Sequence, residues 1–111
     1  MSRGRRKRTK KQCAPRYPWE YYGLGDKGHR RKLEEMCRSG RYDQEVWEAA
    51  YQTCPEIAGY LVRSVTQCKS YEMLEFDPEL GRICMGRTDF YGYRRRFYYL
   101  FGLKLKEECS A

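Results

Sequence analysis

Gly86–Lys106 reads GRTDFYGYRRRFYYLFGLKLK. It is the longest segment of the chain with a helical pattern, and the densest in mixed aromatic and basic residues. At about 100° per residue, Phe90, Tyr93, Phe97, Leu100 and Phe101 fall on one arc, which needs a core to cover it. Thr88, Gly92, Arg95, Arg96, Tyr99 and Lys106 fall on the opposite arc. A helix buried by its aromatic face therefore turns Arg95 and Arg96 outward, with Gly86 or Thr88 as N-cap. A helix N-terminus followed by a basic face suits a polyanion, because free N–H groups favour phosphate and arginine forks onto phosphate or guanine. The same pattern also fits a C-terminal core helix whose arginines are simply solvated.

Upstream, Ser70 caps a short helix from Tyr71 to Phe76, with Glu72 and Met73 in its first turn and Leu74 facing the core. Asp77-Pro78 breaks it, and a link through Glu79, Leu80, Gly81, Arg82 and Ile83 leads into the long segment. Short capped helix, breaker, apolar residue and second helix is the grammar of a helix-turn-helix unit, here residues 70–106. Many all-α domains that bind no DNA share that order of signals.

Three more helices precede the unit. Asp26 caps the first, which carries Leu33, Met36 and Cys37 and stops at Gly40. His29 sits in it beside Arg30, Arg31 and Lys32, with no carboxylate or thiol three or four residues further along the helix, and reads as a surface histidine. Asp43 is the expected N-cap of the second, whose apolar stripe is Val46, Trp47, Ala50, Tyr51 and Cys54. Pro55 ends it and opens the third at N1, with Ile57, Leu61, Val65 and Cys68 as the buried face. Before all of them, Arg16–Leu24 (RYPWEYYGL) is an aromatic, Pro-broken lead-in that places Trp19 and Tyr22 over the core. Those rings also suit base stacking.

Charge is unevenly spread over the 111 residues. The net charge is +8, but residues 1–11 (MSRGRRKRTKK) hold seven of the 23 basic residues and no acid, leaving 16 basic against 15 acidic residues elsewhere. The chain thus reads as a basic arm, residues 1–15, on a near-neutral body, residues 16–111. The arm has too little apolar surface to order itself, so disorder is expected there. Such an arm collects phosphates without sequence preference and speeds encounter with nucleic acid. It also fits a solubilising tail. No apolar run approaches the roughly 20 residues needed to span a bilayer, and the N-terminus has no apolar stretch of a secretory signal. The cysteines at 13, 37, 54, 68, 84 and 109 are expected to be free thiols, several of them packed as small hydrophobes. With no C-x-x-C and one histidine, no zinc or other metal site is expected.

SYEMLEF (Ser70–Phe76) and GRICMGRTDFYGYRRRFYYLFGLKL (Gly81–Leu105) together resemble the C-terminal half of the ArpU-type late-transcription regulators. These are small helical proteins of phages and prophages of Gram-positive bacteria. Their end looks like the helix-turn-helix of sigma-factor region 4, with a pattern of the kind S-R-S-T-F-Y-R-Y-R-R-K-x-L. Arg87, Thr88, Asp89, Phe90, Tyr91, Tyr93, Arg94, Arg95 and Arg96 map onto that pattern in register. YPWEYYGLG (Tyr17–Gly25) and CRSGRYD (Cys37–Asp43) are similar to a start shared by small phage proteins. Two departures stand out: the turn from Phe76 to Met85 is longer and carries Asp77 and Glu79, and Gly92 replaces a large basic residue.

No Ser/His/Asp or Cys/His set, paired carboxylates or phosphate loop is apparent, so no enzymatic activity and no cofactor are expected. The reading is an all-α domain of four to five helices with a helix-turn-helix-like end. It implies a cytoplasmic regulator in a bacterial host that binds double-stranded DNA. The candidate contacts are Arg3, Arg5, Arg6, Lys7, Arg8, Lys10 and Lys11 of the arm, with Arg87, Thr88, Tyr91, Arg95 and Arg96 of the last helix. An RNA-binding protein, a phage structural or assembly protein, and a phage-encoded inhibitor or accessory protein acting on a host nucleoprotein fit the same features. Target sequence and oligomeric state stay open.

Overall fold

Asp26, Gly40 and Ser70 do the local work that the sequence predicts of them. In the computed structural model, which describes residues 15–110 with side chains through Lys106, Asp26 Oδ2 accepts from the His29 N–H at 3.1 Å and starts α1, Lys27–Ser39. Gly40, at φ 82°, ends it in the left-handed region that a glycine enters at no steric cost. The second helix, α2, covers Asp43–Thr53; its cap position is Tyr42 rather than Asp43, and the Tyr42 carbonyl accepts from the Val46 N–H at 2.8 Å. Asp43 becomes the first helical residue, where its charge still favours the helix dipole.

Cys54-Pro55 turns the chain through a single 3-10 turn, Pro55–Ile57, into α3, Ala58–Gln67. Cys68 stops α3 in the left-handed conformation at φ 56°, so it is exposed and not part of the buried face. Only Ile57, Leu61 and Val65 of the expected stripe are inside. Ser70 then caps α4, Tyr71–Glu75, its hydroxyl accepting from the Met73 N–H at 3.3 Å. The Asp77 side chain closes the following turn by accepting from the N–H groups of Glu79 and Leu80. Tyr60 of α3 pins that turn, its hydroxyl donating to the Leu80 carbonyl at 2.7 Å. Last comes α5, Arg87–Ser110.

The fold is all-helical, and no strand occurs among the described residues. Phe90, Phe97 and Phe101 of α5 are fully buried and form the axis of the core. Helices α1, α2 and α4 pack on α5, with α2 making the broadest interface, and α3 packs on α1, α2 and α4. Ala49 and Ala50, both fully buried, let α2 approach closely. That approach overturns part of the expected α2 stripe. Val46 and Ala50 are inside, but Trp47 and Tyr51 are 41% and 54% exposed and stack on each other at 5.7 Å. The small residues face the neighbour because helices must come near; the large aromatics are left on the adjacent arc. Among the described residues no helix is long and apolar enough to cross a membrane.

Candidate nucleic-acid interface

The N-terminal half of α5 is engaged on nearly every side. Its helix begins after Gly86, whose carbonyl accepts from the Phe90 N–H at 3.0 Å. Phe90 goes to the core. Tyr91 turns its hydroxyl toward α4, where it accepts from the Tyr71 N–H at 3.0 Å. Two guanidinium groups lie against the Tyr91 ring, Arg87 at 5.2 Å and Arg94 at 5.0 Å from its centroid. Arg87 Nε also pairs with Glu72 at 2.7 Å. Arg94 donates to the Ser64 hydroxyl at 3.0 Å, and that hydroxyl donates onward to the Lys69 carbonyl. Tyr91 is therefore a brace between α4 and α5, and its phenol is not presented to a ligand.

The face expected to point outward is partly covered by the chain's own lead-in. Residues 15–24 run across α5 as a strap, which includes a 3-10 turn at Trp19–Tyr22. Pro15 lies on Gly92 so closely that a β-carbon at 92 would stand 2.0 Å from the Pro15 carbonyl oxygen. Arg16 Nε donates to Asp89 Oδ1 at 2.9 Å. Arg95 Nε donates to the Tyr17 carbonyl at 2.8 Å. Trp19 packs on Tyr98 with ring centroids 6.0 Å apart, and Tyr22 on Tyr99 at 5.3 Å. Trp19 and Tyr22 thus lie over the core as the sequence predicts, and Arg30 caps the arrangement from 4.9 Å above the Trp19 ring.

Two expectations are corrected by the strap. Gly92 is buried instead of outward, and Arg95 is half-buried and bonded to backbone. A helical wheel groups residues on an arc, but it carries no information about a segment 78 positions away that returns to cover that arc. Arg87, Thr88 and Arg96 are exposed. Tyr98, absent from the predicted apolar arc, is buried between α1 and the strap, whose Trp19 packs on it. Burial drives the Tyr98 phenol well above its ordinary range.

Arg3, Arg5, Arg6, Lys7, Arg8, Lys10 and Lys11 lie outside the described residues. The structure does fix where their segment joins the fold: at Pro15, beside Gly92 and Asp89, one turn from Thr88. Cys37, Cys54, Cys68 and Cys84 are unpaired thiols. Among the described residues, no His, Cys, Asp and Glu side chains gather as a metal site. The helix-turn-helix-like unit has its two helices, but α4 is short, residues 76–86 separate it from α5, and the first turns of α5 are occupied by braces. No protein-family model, curated protein or solved structure matches the chain.

Proposed function

We propose that the protein binds double-stranded DNA as a phage-type transcription regulator, through its basic arm and the exposed rim of α5. The observation that carries this reading is the seat of Pro15 on Gly92. It tethers seven cations within residues 1–11 to the helix start that holds exposed Arg87 and Thr88, with Arg96 further along. An arm of 14 residues reaches at most about 50 Å when extended, enough to follow a groove or backbone away from the rim. Arm and rim have different roles in binding. In this reading the arm neutralises phosphates, and the exposed Thr88 and Arg96 contact base edges or backbone. Arg95 and Tyr91 support this surface from behind.

A gel-shift series with duplex DNA, structured RNA and single strands, each across a range of salt, tests the proposal. Duplex is expected to bind tightest, with steep loss of affinity as salt rises. Tighter binding to structured RNA would move the assignment to an RNA-binding protein. No binding to any of the three at low salt would remove it. One observation favours a protein partner as the second reading: the stacked Trp47–Tyr51 pair stands exposed on α2. Exposed aromatics are common anchors of protein interfaces, and an inhibitor or accessory protein acting on a host nucleoprotein would use them in place of the arm.

A further inference from the structure

A groove of about 500 Å³ lies between α1 and the C-terminal half of α5. The DNA reading makes no use of it. Leu24, Leu33 and Met36 form one wall, and Tyr98, Leu103 and Leu105 the other. Gly102 keeps the floor open, since a β-carbon there would come no nearer than 4.0 Å to Leu33.

Two contacts fix the register of the helices. Arg94 and Tyr98 share a second cleft with Glu34 and Arg38 of α1, and Gly102 lies opposite Leu33. A step forward on α5 corresponds to a step back on α1, so the helices run antiparallel. One further turn brings Lys106 level with His29, and Lys32 lines the same stretch. The basic side chains therefore gather toward one end. Tyr22 and Tyr99 close the other, ring centroids 5.3 Å apart. No carboxylate lines the groove among the described residues.

We infer that this groove binds a free anionic amphiphile: an acyl chain along α5 with its carboxylate at Lys32 and Lys106. Eight helical residues from Tyr98 to Lys106 span about 12 Å, the scale of a medium-length acyl chain. The volume falls in the range of small-molecule sites, which are mainly apolar with a few polar groups to fix orientation. A partner helix, about 10–12 Å across, would meet only the lip. The chain's own arm is excluded as occupant by charge, because residues 1–11 hold no acid, and by position, because Pro15 is seated at Gly92 and not near Gly102. The inference stands independently of the nucleic-acid reading.

Titrating the full-length protein with decanoate, decanol and decyltrimethylammonium, followed by calorimetry and aromatic fluorescence, tests it. Decanoate is expected to bind saturably at one site, about tenfold tighter than the cationic analogue. Lys32→Glu with Lys106→Glu is expected to reverse that order while the helical circular dichroism is retained. Gly102→Leu, which fills the floor, is expected to abolish binding of all three. Equal affinity for the three amphiphiles, unchanged order after the double charge reversal, or no binding of decanoate at millimolar concentration overturns the inference. Binding confined to phosphatidylglycerol vesicles also overturns it, by making the face a membrane contact.

Discussion

Residue 92 has no room for a β-carbon, and residue 102 has. Alanine at an unhindered helical glycine stabilises by about 0.5–1 kcal/mol, through lower backbone entropy in the unfolded chain. Gly102→Ala, with its nearest neighbour at 4.0 Å, is expected to show that gain in urea denaturation. Gly92→Ala is expected to have the opposite sign. It must move the Pro15 carbonyl from 2.0 Å, at a cost of about 1–3 kcal/mol, and shift the Trp19 fluorescence as the strap lifts. Equal signs for the pair would mean that the strap is not seated on α5. Cys37 tests the core in another way. Burial pushes its thiol up to about 12 from an ordinary value of 9.0. The folded pKa is the higher one, so the neutral thiol's contribution is complete below about pH 9. It is lost above that, as the unfolded thiol ionises and the folded one does not, at about 1.4 kcal/mol per pH unit. Stability followed from pH 8 to 10.5 should fall less steeply in Cys37→Ala than in the parent. Identical alkaline slopes would show that the thiol is not held neutral.

Element boundaries were legible wherever one side chain makes them. Asp26, Gly40, Ser70 and Pro55 act within a turn of their own position, so their types alone mark helix starts and stops. The aromatic face of α5 was legible too, because Phe90, Phe97 and Phe101 keep helical spacing and are large enough to need a core. What was not legible depends on distant chain. Trp47 and Tyr51 look more buriable than Ala49, yet the close approach of α5 selects the alanine. Gly92 and Arg95 read as surface until the strap is laid on them. The turn after α4 shows the same limit, since Asp77 and Glu79 look like a departure from a DNA-binding turn but are the partners of Arg63 on α3. The Asp77 side chain is only 3% exposed. The Glu79 N–H, then that of Leu80 and the Arg63 guanidinium, hold its carboxyl below the ordinary value of 3.8. Its folded pKa is the lower one, so its contribution is present above about pH 4 and fades as pH falls through the folded value. Asp77→Ala is expected to be less stable than the parent at pH 6–7, with the gap closing below pH 3.8. A gap that stays constant down to pH 2.5 would mean that the carboxylate charge does not hold the turn.

At the scale of the whole molecule, the proposed division of labour between a near-neutral helical body and a cationic arm is tested by salt dependence. Each phosphate neutralised contributes about −0.9 to the slope of log affinity against log salt on duplex DNA. The arm carries seven cations in residues 1–11, so its removal can flatten the slope by at most about 6. The thermal midpoint should not change, because the core among the described residues is built from residues 24–101 and the sequence of residues 1–11 offers almost no apolar side chain to add to it. Arg96→Ala, on the exposed rim, should flatten the slope by about 1 and leave stability within about 0.5 kcal/mol. Arg95→Ala should behave differently. It removes the hydrogen bond to the Tyr17 carbonyl, so it is expected to cost about 0.5–1.5 kcal/mol of stability. Its effect on DNA should come only through the tether, as weaker binding with an unchanged slope. A recognition helix of the ordinary kind predicts the reverse for this residue: a direct contact, about 1–3 kcal/mol of binding lost, and relaxed discrimination at one base pair. Measuring stability and salt slope together for the two arginines therefore tests whether the proposed DNA contact is made by the arm and rim or by the α5 face beneath the strap. If Arg95→Ala leaves stability intact but relaxes sequence preference, the strap must lift on binding and expose the helix face beneath it. If removal of residues 1–11 changes neither affinity nor slope, the arm is not the electrostatic contact, and the exposed aromatics of α2 become the surface to pursue.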